Sequence, residues 1–113
     1  MTEIQKILLT LIELATFNSF DGKKVVQDLK AHSGLWRSVL MNREDPVFVL
    51  RDIQENHYNV DVLYVWSSGQ DDEALESLAR SWGPDAVSWD EDPRNTLGAY
   101  GEALPNILRL WWD

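Results

Sequence analysis

Apolar residues recur at three- and four-residue spacing near the start of the chain, at Ile4, Ile7, Leu8, Leu11, Ile12 and Ala15. That spacing places them on one face of a helix. Thr2 stands where a hydroxyl can cap the first free amides, so the pattern predicts a helix from residue 3 to residue 17. After the turn-prone residues 18–22, Val25, Val26 and Leu29 predict a second, shorter helix, with Gly34 as its C-terminal stop. Residues 35–41, LWRSVLM, mix alternation with branched and aromatic side chains and read as a strand, the alternative being a prolongation of the preceding helix.

Asp45 followed by Pro46 has the form of an N-cap and a first helical residue, which predicts a short helix to residue 55. Val60, Val62, Tyr64 and Trp66 then alternate with Asp61, Leu63 and Val65. Both faces of that strand are largely apolar, as expected for the interior of a sheet covered by helices, which lie mainly on one or both of its faces. In DDEALESLARSWGP, acids open a helix, Ala74, Leu75, Leu78, Ala79 and Trp82 share a face, and Gly-Pro closes it. Residues 85–89 and 107–112 supply two last strands, joined by a polar connection of unusual length.

The expected order is helix, helix, strand, helix, strand, helix, strand, strand, an α+β (or small α/β) arrangement. It gives one domain over residues 1–113, with a single sheet of about four mixed strands and about four helices. Right-handed crossovers through the third and fourth helices make the first three strands parallel where they are neighbours, with the last antiparallel. A chain of 113 residues, 44% of them hydrophobic, suffices for one core.

Charge changes the picture more than composition does. Net charge is −9, of which residues 1–56 carry −1 and residues 57–113 carry −8. Eleven acids in the second half face only Arg80, Arg94 and Arg109, so a nucleic-acid backbone is repelled there and direct nucleic-acid binding is not expected. The chain contains no cysteine, which removes disulfides, thiolate zinc sites and cysteine nucleophiles. The apolar stretch 4–15 is interrupted by Glu13, and neither a membrane span nor a signal peptide is expected, so the chain reads as soluble and cytoplasmic.

Several chemistries lack their motifs. VWSSGQDDE runs from a strand into a helix start, but Asp71, Asp72 and Glu73 occupy the turn where phosphate would sit, and no P-loop lysine follows. Those acids read as caps. His32 and His57 have no metal-ligand spacing, and no nucleophile elbow surrounds Ser67, Ser68, Ser81 or Ser88. No catalytic residue, metal ligand or cofactor site is therefore assigned.

The unusual features are six tryptophans and the acid run Asp90, Glu91, Asp92 after Trp89. The run lacks the alternating ligands of a calcium loop and reads as uniformly hydrated. Trp66 and Trp82 are expected in the core, whereas the adjacent Trp111 and Trp112 must point to opposite faces of their strand. These observations suggest a small non-enzymatic interaction protein, of inhibitor, immunity or accessory type. Its acidic surface, formed by Trp89, Asp90, Glu91, Asp92 and Trp112, would meet a basic protein partner. The alternative is a small-molecule binder or enzyme with an aromatic pocket between the sheet and the 90–106 loop. A deep pocket holding His57, Tyr64, Trp66 or Tyr100 would favour it.

Overall fold

A computed structural model describes residues 1–45, 49–98 and 106–113. Helix α1 (Glu3–Leu14) starts at Thr2, whose side chain accepts from the Gln5 amide. The helix stops earlier than its periodicity suggested. Residues 16–17 and 20–21 form a two-residue ladder, β1 (Thr16–Phe17) and β2 (Phe20–Asp21), turned by Asn18 at φ 47°. Asparagine tolerates that left-handed geometry better than most residues do.

Helix α2 (Gly22–Ala31) follows at once, with Asp21 accepting from the Lys24 amide. Its first residue meets the end of α1 closely: a Cβ on Gly22 would stand 2.0 Å from the Ile12 carbonyl oxygen. Only glycine lets the two helices turn so tightly. Gly34 does not end α2 as expected. It lies in a 3-10 turn, Ser33–Leu35, while the His32 amide closes the helix on the Asp28 carbonyl.

The main sheet contains β3 (Trp36–Asn42), β4 (Val62–Ser67), β5 (Ala86–Trp89) and β6 (Ile107–Trp111), in spatial order β3-β4-β6-β5. Every neighbouring pair is antiparallel. The expected parallel neighbours are thus corrected: β3 pairs antiparallel with β4, and β6 inserts between β4 and β5. Helix α4 (Asp72–Arg80) still links two strands that run the same way, but they are one position apart. In that place β6 has its backbone N–H and C=O groups met on both edges, by β4 on one and β5 on the other. Only a central slot gives it both.

Two short helices complete the order. Helix α3 (Leu50–Gln54) begins later than the Asp45-Pro46 signal suggested, and residues 46–48 lie outside the described part. Helix α5 (Pro93–Leu97) lies within the connection that the sequence reading left as loop. The signal for it was present in Asp92-Pro93, the same cap-and-proline pair, and Gly98 closes it at φ 66°.

One core lies between the sheet and helices α1, α2 and α4. Leu9, Ile12, Val25, Val26, Leu29, Leu75 and Ala79 meet Val39, Met41, Leu63, Val65, Leu108 and Leu110 from the strands. The α1 face that packs is Gln5, Leu9 and Ile12, not the face beginning at Ile4 and Ile7, which is exposed. Gln5 makes the difference. Buried at the sheet edge, its amide donates to the Val39 carbonyl at 3.0 Å and accepts from the Val39 N–H at 2.9 Å.

Tryptophans tie the layers together. Trp36 Nε1 donates to the Leu29 carbonyl at 2.8 Å, and Trp82, buried as expected, donates to Asp28 at 2.9 Å. Asp71 is the α4 N-cap and accepts from the Ala74 amide at 3.0 Å. Asp72 is held by the Ser67 hydroxyl and by Asn106 Nδ2, the latter at 2.8 Å. The three acids at this helix start therefore serve the fold, as their position beside positive helix ends favours.

Replacing Asp71 by Ala is expected to lower the unfolding free energy by about 1 kcal/mol, the usual worth of an N-cap. Urea denaturation measures it, and an unchanged midpoint would contradict the cap. Asp28 yields a pH test. The Trp82 donation foremost, then Lys24, holds its carboxyl below the ordinary 3.8, with partial burial opposing. A carboxyl lowered in the folded state adds stability above its unfolded pKa and loses that contribution as pH falls through the folded value. Relative to Asp28→Asn, the native chain should be more stable at neutral pH, and the difference should vanish well below pH 3.8. Parallel melts across that range would show it; a gap unchanged in strong acid would exclude the charged contact.

Candidate ligand cleft on the open sheet face

Side chains alternate across the strands, so the residues not facing the core form a second sheet face. The register sets them in three rows: Ser38, Trp66 and Ile107; then Leu40, Tyr64, Arg109 and Ser88; then Asn42, Val62, Trp111 and Ala86. Of the two arrangements expected, helices on one face of the sheet or on both, the described residues place the longer helices on one. Helices α1, α2 and α4 all pack on the core side, leaving Tyr64 and Trp66 half-buried. The apolar outer positions of β4 thus signalled an aromatic surface rather than a second helical layer.

Only α5 approaches this face among the described elements. Thr96 and Leu97 close one side of an open-mouthed cleft of about 330 Å³, floored by Tyr64, Trp66 and Ile107 and bounded on β3 by Ser38, Leu40 and Asn42. No carboxylate or imidazole lines it among the described residues; its polar groups are hydroxyls, an amide and an indole. The guanidinium of Arg37 stacks on Trp66, 4.9 Å from the ring centroid. Arg37 has no carboxylate within ion-pair distance among the described residues, whereas Arg109 on the same face reaches Glu44 at 3.2 Å. Among the described residues the Nε1 donors of Trp66 and Trp111 on this face, and of Trp112 on the core side, are buried without a hydrogen-bond partner.

The acid run positions the wall of the cleft. Asp90 accepts from the Asp92 amide at 2.9 Å and from the Thr96 hydroxyl at 2.5 Å, so it organises the first turn of α5. Glu91 and Asp92 are exposed. Trp89 is half-buried on the core side, and its Nε1 donates to Glu76 on α4 at 2.8 Å. Trp112 is fully buried and packs edge-on against Phe20 at 4.7 Å. Its burial corrects the expectation that Trp112 can anchor a partner. The register also puts it beyond the Ala86–Trp111 end of the β5–β6 pairing, away from Trp89 opposite Leu108. Of the five residues expected to share a surface, Trp89 to Asp92 are neighbours in the chain and Trp112 is apart.

The other candidate groups are spread out. Ser67 and Asp72 lie beside Asn106 and are hydrogen-bonded to each other, to the Gly69 amide and to Asn106 Nδ2. His32 and His57 are exposed and sit on α2's end and beyond α3. Tyr100 lies outside the described residues, as does the 99–105 part of the long connection. No group of three or more acidic or histidine side chains placed to hold a metal occurs among the described residues, and no helix there is long and apolar enough to cross a membrane. The sequence reading missed Ser38, Leu40, Asn42 and Leu97 as cleft residues, because a sheet face exists only once register is set.

Comparison with protein-family models, with curated proteins and with solved structures returned no match, so the cleft stands on its own geometry.

Proposed function

We propose that this chain is a small non-enzymatic binding protein whose cleft over Tyr64 and Trp66 takes a planar, largely apolar small molecule bearing an acid group. The observation that carries the reading is the aromatic-floored cleft of about 330 Å³ between the sheet and α5. Its volume is at the lower end of small-ligand sites, which are typically about 300–1,000 Å³ and mostly apolar with a few polar groups. Trp66 and Tyr64 offer ring surface, Leu40, Leu97 and Ile107 exclude water, and Ser38 and Thr96 supply hydroxyls. Arg37, stacked on Trp66, supplies the positive charge that selects an acid. Hydroxyls and an amide hold a ligand, and no base that would transform it lines the cleft among the described residues.

The test is a panel of monocyclic and bicyclic aromatic carboxylates, each with its uncharged amide, titrated by calorimetry and by thermal shift. A carboxylate is expected to bind and raise the melting temperature by mass action. Trp66→Ala, verified as folded by circular dichroism, should abolish binding. Arg37→Met should weaken the carboxylate about tenfold, about 1.4 kcal/mol, and leave the amide unchanged. Binding that survives Trp66→Ala, or no binding by any member, would sink the reading.

A second reading rests on the exposed pair Glu91 and Asp92 in the half of the chain that carries −8. It keeps the acidic surface as a landing site for a basic protein, now without Trp112 as anchor. Exposed charges act mainly on encounter rate. With a basic protein retained from the native host at low salt, Glu91→Gln with Asp92→Asn should slow association and flatten its salt dependence. Unaltered kinetics would return both acids to the solvated start of α5.

A further inference from the structure

The sheet-facing side of α1 is only one of its two apolar faces. Ile4, Ile7, Leu11 and Leu14 recur at spacings of three, four and three, the seam of a helix that packs against another helix. None of them belongs to the face that packs on β3, which is Gln5, Leu9 and Ile12. Ile4, Ile7 and Leu14 are 55–73% exposed, and the stripe continues onto α3 through Leu50 and Ile53, at 74% and 61%. Leu11, Leu14 and Ile53 line one cleft of about 210 Å³, which joins the two helices into a single surface.

We propose that this surface is the interface of a homodimer, in which α1 of one copy packs antiparallel on α1 of the other about a two-fold axis. Area, self-complementarity and charge together select a second copy.

Five side chains this exposed, with Leu11, present on the order of 600 Å² of apolar surface, the upper limit of the largest patch on ordinary monomers. Two copies bury about 1,200 Å² through it, which enters the range of specific interfaces. The stripe is also self-complementary. An antiparallel pair centred between Ile7 and Leu11 sets Ile4 beside the second copy's Leu14, and Ile7 beside its Leu11, so each of the four α1 positions meets an apolar one.

Charge points the same way. The stripe itself is uncharged and offers no handle to a strongly acidic or basic partner. It belongs to the half of the chain that carries only −1, and α1 packs at the β3 edge of the sheet, with β5 and its acid run at the other edge. Joining two chains of charge −9 through α1 therefore keeps the strongly acidic halves apart, where repulsion is weakest.

Sedimentation of the full chain from about 1 to about 200 μM tests this across the micromolar range of dissociation constants. The mass should rise from 13.0 kDa toward twice that value with concentration. Ile7→Glu places two like charges in the seam and should weaken the dimer at least about 100-fold, as expected when a central apolar residue is replaced by an unpaired charge. Because Ile7 is exposed, the variant should melt as the native chain does at low concentration. Leu14→Glu provides the same test at the other end, and Leu40→Glu, on the open sheet face, should leave the mass unchanged. A native chain that stays monomeric throughout overturns the proposal. So does a dimer that survives both seam variants, or one lost only with Leu40→Glu. Ligand binding in the Tyr64–Trp66 cleft is read separately and does not enter these outcomes.

Discussion

The Gln5 side chain decides how the rest of the molecule is arranged. Strand β3 is an edge strand, and Val39 turns a backbone N–H and C=O away from β4 with no strand to receive them. Gln5 satisfies both from one amide, buried against the sheet. Unpaired, those groups would each cost about 1–3 kcal/mol and would present an edge for other chains. The clasp also sets the rotation of α1. With Gln5 pointing inward, Leu9 and Ile12 follow it into the core, and Ile4, Ile7 and Leu14 are carried outward. A helix with two apolar faces is oriented here by its one buried polar residue.

From that edge the sheet is built one-sided. The β4–α4–β5 unit leaves a gap between its two strands that β6 fills, and all three longer helices stay on the same side. Trp36, Trp82 and Trp112 fill the helical side, and Trp36 and Trp82 each donate to a group on α2. Trp66 and Trp111 are left on the other face, where α5 is the one described element that comes near. The cleft follows from this asymmetry: apolar strand residues on a face that, among the described elements, only α5 approaches.

The acid run shows how one sequence feature divides into different roles. Asp90 is spent inside the structure, holding the first turn of α5 and through Thr96 one wall of the cleft. Glu91 and Asp92 remain in water. At the start of α4 the same division appears, with Asp71 capping and Asp72 bridging Ser67 and Asn106. Carboxylates that look alike in a list of charges differ by which amides and hydroxyls reach them.

Local order was legible where the pattern was local. The α4 cap at Asp71, the period of α1 and the alternation of β4 follow from spacing and from capping chemistry, which act over a few residues. The α+β class and the single four-stranded sheet followed from the order of those elements. The asparagine turn at residues 18–19 and the Asp92-Pro93 helix start carried local signals as well, yet a two-residue ladder and a five-residue helix are too short for periodicity to announce. Strand order was not legible, because antiparallel pairing with β6 in the centre depends on contacts between residues 40 or more positions apart. The same holds for the inward turn of Gln5, the burial of Trp112 against Phe20 and the half-buried place of Trp66 on the outer sheet face rather than in the core. Each is a choice between two faces that the residues alone permit equally, and only packing against a distant strand or helix removes the other option.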